Sequence, residues 1–295
     1  MRRLRSQGRR GGQPGRSLAL ATMEAMLSFA FLLSFATQIN AAEHDRQCLV
    51  YFGTYTSGSG PHGKSAGIYL ANIDLNSGEL TRPTVAAEIE SPSFLALNPE
   101  ETHLYAVSES RRFQNPDAGG VSAFKINRQD GSLQFLNEQS SRGQSPCHLV
   151  VDGQSRFVLA ANYSGGSVIV LPIESGGALG APVAFVQHEG SSVHPRQKGP
   201  HAHCINLAAN HRFAYSADLG LDKVLIYEFD PQRGSLRPNP KQAFASVEAG
   251  SGPRHFAFHP TQPFAYVINE LSSTITAFRS DPLLGTLELL QDVAT

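Results

Sequence analysis

Glu270, His203 and Arg254 bring together three kinds of chemistry at matched places in a repeating sequence. A carboxylate can take a proton from water, an imidazole can pass one on, and a guanidinium can grip an anion or a developing negative charge. Further polar residues occupy equivalent or adjacent positions: His148, Asn162, His201, Asp218 and His255. Arg196 lies with His194 and Lys198 in a polar insertion, residues 187–199, that precedes one repeat and is long enough to overhang its neighbours. Each residue also has an ordinary structural use. A strand-end carboxylate is usually solvated or ion-paired, and a channel histidine often bonds backbone. Arg254 could simply pair with Glu270 or Asp218. His201 and His203 form a His-x-His pair able to chelate a metal from one strand face, but no third ligand is fixed by sequence, so no metal is expected. Asp218 and Asp222, flanking a glycine, suit a turn better than a calcium site.

The elements that must hold these side chains are repeats. They begin at Ser91-Pro92-Ser93-Phe94, Ser145-Pro146-Cys147-His148, Gly199-Pro200-His201-Ala202-His203 and Gly252-Pro253-Arg254-His255. The prolines stand 54, 54 and 53 residues apart. Short apolar runs separated by Gly, Pro, Asn and Asp read as strands and turns. The first unit gives Phe94–Leu97, His103–Ser108, Val121–Ile126 and Leu133–Leu136; the second gives three such runs within 148–172. About four strands per unit at this period predicts an all-β propeller built of four-stranded blades rather than a sandwich. A tight turn joins the first two strands, so the start of the first and the end of the second share one end of the blade. That places Ser93, Cys147, His203 and Arg254 together with Ser108, Asn162, Asp218 and Asn269 at one mouth. Glu109, Tyr163, Leu219 and Glu270 follow immediately.

The first 41 residues read as a separate object. Six arginines precede an apolar run, Met26 to Ala36, and small residues near Ala41 suit cleavage. A secretory signal peptide is expected over 1–41, with Met23 as a second possible start and an uncleaved, membrane-tethering anchor as the alternative. Residues 42–295 form the propeller domain, exported to a periplasm or secreted, with no membrane span after cleavage. Removing 1–41 takes away six Arg and one Glu, leaving 18 basic and 24 acidic side chains. That balance gives no nucleic-acid footprint. Cys48, Cys147 and Cys204 lack metal spacing and read as free, small apolar residues; a Cys147–Cys204 bridge is the alternative. Oligomeric state is not legible.

The ordered motifs Tyr51-Phe52-Gly53-Thr54, Ala161-Asn162-Tyr163, Gly199-Pro200-His201-Ala202-His203, Ser216-Ala217-Asp218-Leu219-Gly220, Gly252-Pro253-Arg254-His255 and Asn269-Glu270-Leu271 resemble the seven-bladed β-propeller lactonases. That family includes the propeller type of 6-phosphogluconolactonase and a 3-carboxy-muconate lactonizing enzyme. The resemblance runs over roughly residues 48–295 and implies a small-molecule lactone as substrate and no organic cofactor. It puts His203, Arg254 and Glu270 at the active centre, as proton relay, anion holder and base activating water. The contacts to substrate would come from His148, Asn162, His201, Asp218, His255 and Arg196. The chain holds fewer than five complete units, so it reads as truncated to about five of the family's seven blades, without the further arginine those blades carry. The alternatives are a muconate-type cycloisomerase and a non-catalytic binding propeller.

Overall fold

The computed structural model describes residues 47–56, 63–110, 113 and 117–295. The expected signal segment and most of the Gly58–Gly63 loop lie outside the described residues. Leu49–Ala71 with Thr81–Thr295 form one compact unit, and Asn72–Leu80 belongs with Cys48 to another. Among the described residues every regular element is a strand, and no helix is long and apolar enough to cross a membrane.

The strands make five antiparallel sheets in chain order. The first contains β1 (Gln47–Phe52), β2 (Gly67–Asp74) and β3 (Thr84–Glu88). The second contains β4 (Leu95–Leu97), β5 (His103–Ser108), β6 (Gly120–Ile126) and β7 (Leu133–Ser140). The third contains β8 (Pro146–Val151), β9 (Phe157–Asn162), β10 (Ser167–Pro172) and β11 (Ala184–Gln187). The last of these is a fourth strand that the sequence pattern does not announce, because AFVQ is too short to show a period. The fourth sheet contains β12 (Ala202–Leu207), β13 (Phe213–Asp218), β14 (Lys223–Asp230) and β15 (Ser235–Pro238). Its outer edge is continued by β16 (Phe244–Ser246), which also pairs with β14. The fifth contains β17 (Pro253–Phe258), β18 (Phe264–Asn269), β19 (Thr274–Asp281) and β20 (Thr286–Ala294).

Each sheet from the second to the fifth is a meander, and the first hairpins of the second, third and fourth are locked in the same way. The turn residues Glu101, Ser155 and His211 take left-handed φ of 53°, 54° and 55°. Their N–H groups donate back to the carbonyls of Asn98, Asp152 and Ala208. In two turns a side-chain oxygen finishes the lock: Asn98 Oδ1 accepts from the amides of Thr102 and His103, and Asp152 Oδ1 from those of Arg156 and Phe157. These bonds take up the amides that the tight turn leaves outside the ladder.

The first strands stand side by side: β8 packs on β4, β12 on β8, and β17 on β12. Apolar side chains fill the spaces between sheets. One cluster joins Tyr105, Val107 and Leu149 to Val158, Ile169 and Leu171; another joins Leu159 and Val168 to Ile205, Ala214 and Tyr227. Cys147 and Cys204 are free and buried, whereas Cys48 is exposed. Leu159 is fully enclosed between two sheets and Leu97 is 43% exposed. Leu159→Ala is therefore expected to lower the unfolding free energy by about 2–5 kcal/mol in a urea titration, and Leu97→Ala to cost far less. Equal losses at the two positions would contradict the assignment of the core.

Candidate functional site

A bulge repeats at the start of the inner strands. Pro146 pairs with Asn162 and His148 with Ala161, so Cys147 is an extra residue with no partner in the register. Ala202 pairs with Asp218 and Cys204 with Ala217, leaving His203 extra. Pro253 pairs with Asn269 and His255 with Ile268, leaving Arg254 extra. A bulge re-aims the side chain it inserts. All three inserted side chains line one cavity of about 440 Å³, joined by Ser93 from the corresponding position of the second sheet.

A second repeated bond supplies the facing residues. The N–H just beyond the second strand returns to the carbonyl before the first: Glu109 to Ser91, Tyr163 to Ser145, Leu219 to His201 and Glu270 to Gly252. Glu109, Tyr163 and Glu270 line the same cavity. Each hairpin therefore offers a pair of residues 16 apart in the chain, Ser93 with Glu109 and Arg254 with Glu270 among them.

Glu270 is held by two guanidinium groups. Arg254 Nε donates to its Oε2 at 3.0 Å and Arg196 Nη1 to its Oε1 at 2.6 Å. Arg196 also donates from Nη2 to the Tyr163 hydroxyl at 2.9 Å. Burial by itself would raise the Glu270 carboxyl, but Arg196, Arg254 and His203 outweigh it and hold the group below its ordinary value. His203 is driven down to about 3 by burial and by the charge of Arg254, so its imidazole is neutral at neutral pH. Burial, with Arg254 beside it, also lowers His255. Glu109 behaves in the opposite way. Burial raises it despite hydrogen bonds from Ser93 and Tyr55 and the nearby charge of Arg254.

The structure brings His203, Arg254, Glu270, Arg196 and His255 into the cavity. Four other expected substrate contacts are not among the lining residues. Asn162 is fully buried and donates to the Ser141 carbonyl and to Ser167 Oγ. Asp218 is fully buried, accepting from the amides of His201 and Gly220 while His188 Nδ1 lies 2.6 Å from its Oδ2. Both are the strand-end partners of the residue before the bulge, and strand alternation turns them away from the side that Tyr163 and its equivalents occupy. His201 stacks on Tyr163 with Nδ1 at 3.1 Å from the Tyr163 carbonyl, and so supports the wall from behind. His148 is buried beneath the cavity floor against Phe94 and His255.

His148, Cys204 and His255 bring possible metal donors within 4.8 Å of one another. The Ile205 N–H donates to His148 Nδ1, which leaves the ring proton on Nε2 facing Cys204 Sγ at 3.8 Å. Burial also pushes the Cys204 thiol up to about 12. This arrangement suits hydrogen bonding rather than ligation, which needs a bare imidazole nitrogen and a thiolate.

Residues 49–295 match the model of the family described as lactonase, 7-bladed beta-propeller. The chain belongs to this family. It is 38% identical over 244 residues to a 6-phosphogluconolactonase from Bacillus subtilis, covering 83% of this chain and 66% of that one. It is 31% identical over 227 residues to a 6-phosphogluconolactonase from Formosa agariphila, covering 77% and 63%. Among solved structures, the periplasmic gluconolactonase of Pseudomonas aeruginosa superposes with a TM-score of 0.77 at 30% identity, over 84% of this chain and 68% of that one. A protein from Lactobacillus plantarum gives 0.74 at 33% identity, over 84% and 67%. The chain thus spans just under two thirds of the length of these curated relatives. Its five sheets are antiparallel, and three have the four strands of a propeller blade; the first has three, and in the fourth β15 and β16 both pair with β14.

Sequence reasoning about this lactonase-family chain put Ser93, Glu109 and Tyr163 at the same mouth without giving them a role, and did not place Tyr55 there. The available signal was repeat equivalence, since Glu109 and Tyr163 occupy the place of Glu270. The polar insertion does reach the cavity, and the anchor that holds it there is Asp222. This carboxyl accepts from Ser192 Oγ, Gln197 Nε2 and the amides of Gly250 and Gly252, so it ties the Arg196 loop to the Arg254 strand. Asp222→Ala is expected to cost on the order of 1–3 kcal/mol and to speed amide exchange at Gly250 and Gly252 at least about tenfold. Unchanged protection at those two amides would show that the loop is anchored elsewhere.

Proposed function

We propose that the protein hydrolyses a sugar lactone, 6-phosphoglucono-1,5-lactone or an unphosphorylated relative, and does so in the Arg196–Glu270–Arg254 cavity. The observation that carries this reading is the one carboxylate gripped by two arginines beside a neutral imidazole, in a chain of the lactonase family. Opening the ring needs a water, an acceptor for its proton and positive charge at the carbonyl oxygen as it becomes an oxyanion. Glu270 is charged over the whole neutral range and receives the proton. Arg254 and Arg196 hold that carboxylate in place and present N–H groups to the developing negative charge. Neutral His203, at the bulge beside them, orients the water and passes its proton toward Glu270.

The basic and apolar leader supports export. One structural relative carries the word periplasmic in its name, which agrees with that reading. An exported enzyme meets unphosphorylated sugars more often than sugar phosphates, and this favours a gluconolactone-like substrate.

Wild-type chain and Glu270→Gln are to be compared on glucono-1,5-lactone and on its 6-phosphate, with spontaneous opening subtracted and folding checked by circular dichroism. Wild type is expected to open at least one lactone, and the variant to lose about 10²–10⁴ in kcat/KM. A folded wild type that opens neither lactone would contradict the reading. The acid limb follows from the direction of the Glu270 shift. A base must be deprotonated, and a lowered carboxyl stays so as pH falls through the usual carboxylate range. Activity is therefore expected to persist down to the region of pH 4.5 and to fail only below it. A limb between pH 6 and 7 would instead make an unperturbed histidine the base.

A further inference from the structure

Glu109 is the structural counterpart of Glu270, and it has the surroundings of a different reagent. Both follow the second strand of their sheet, both close the hairpin through the same backbone bond, and both accept on Oε2 from the bulge-position side chain 16 residues earlier. In the fifth sheet that side chain is the Arg254 guanidinium. In the second it is the Ser93 hydroxyl, donating at 2.5 Å. Tyr55 adds a second neutral donor to the same oxygen at 2.9 Å, and its phenol, pushed up to about 12 by burial and by Glu109, stays protonated. Oε1 of Glu109 takes no hydrogen bond among the described residues, while the residue lines the cavity that contains Glu270. With both donors on Oε2, Oε1 is the oxygen left to carry a proton.

The reaction requires such an acid. When the tetrahedral intermediate collapses, the ring oxygen departs as an aliphatic alkoxide and must gain a proton. The cavity imidazoles are poor sources, because burial and Arg254 hold His203 and His255 in the neutral form. Burial likewise drives the Cys147 thiol far above its ordinary value.

We propose that Glu109, positioned by Tyr55 and Ser93, is the general acid that protonates the ring oxygen as the lactone opens. This rests on the lactonase reading above. The water oxygen bonds to C1 and its proton passes to Glu270. The C1–ring oxygen bond then breaks, and the Glu109 proton moves to that oxygen. The product leaves as the open hydroxy acid, and Glu109 regains the proton that Glu270 gave up, through solvent.

The test uses leaving groups of different basicity. Glucono-1,5-lactone releases an alkoxide and needs the acid; dihydrocoumarin releases a phenoxide and does not. Glu109→Gln, confirmed as folded, is expected to lose about 10²–10⁴ in kcat/KM on gluconolactone and to stay within about threefold of wild type on dihydrocoumarin. Glu270→Gln is expected to lose activity on both. Equal losses by Glu109→Gln on the two lactones, or none on gluconolactone, would overturn the assignment while leaving the hydrolase reading intact. A folded wild type that opens neither lactone would overturn both. Tyr55→Phe provides a second arm should Glu109→Gln not fold. Ser93, Tyr55 and Arg254 each favour the charged form of Glu109, so removing the Tyr55 donor raises its pKa. An acid works only while protonated, so the alkaline limb on gluconolactone should move to higher pH. An unmoved limb would count against Glu109.

Discussion

One inserted residue at the start of an inner strand decides where the chemistry of this protein lies. In a regular ladder, Cys147, His203 and Arg254 would each be paired with a residue of the second strand and would alternate between faces. The bulge leaves each of them unpaired and turns its side chain into a common cavity. In the third and fourth sheets the hairpin lock at the far end of these strands fixes the register, so the bulge cannot slide. The apolar layers around Leu149, Leu159 and Ile205 hold the sheets close enough for side chains from several of them to meet.

Because the bulge repeats, the sheets present equivalent sockets filled with different residues. The pair Ser93–Glu109 and the pair Arg254–Glu270 have the same backbone relation and opposite electrostatics. A guanidinium, joined by a second from the overhanging loop, keeps one carboxyl charged; burial raises the other, against the pull of its two hydroxyl donors. Two carboxyl groups driven apart in this way divide acid from base within one cavity. The buried histidines complete the arrangement by staying neutral, so that the positive charge of the cavity is that of its arginines.

Much of this arrangement is visible in the chain itself. The spacing of Pro92, Pro146, Pro200 and Pro253 reveals the repeats, and the antiparallel hairpin brings His203, Arg254 and Glu270 to one end. The bulge is not visible, because it depends on which residue of the partner strand stands opposite. Without it, Asn162 and Asp218 look like rim residues, although their side chains are buried and bond groups of neighbouring segments. The role of Glu109 is hidden for a different reason. A strand-end glutamate next to Ser108 resembles any solvated carboxylate until Tyr55, some fifty residues earlier, is seen to donate to it. The fourth strand of the third sheet is too short to carry a period, and Cys48 lies on an exposed strand start that composition cannot distinguish from a core position.

The central claim is that one cavity shifts two glutamate carboxyls in opposite directions. The most direct measurement is a pH titration of the full chain labelled with ¹³C at the glutamate side-chain carboxyls, with Glu109 and Glu270 assigned from the signals missing in Glu109→Gln and Glu270→Gln. The account predicts that the Glu270 carboxyl titrates below the ordinary glutamate range and the Glu109 carboxyl above it. Two carboxyls titrating together at ordinary values, or in the reverse order, would contradict it.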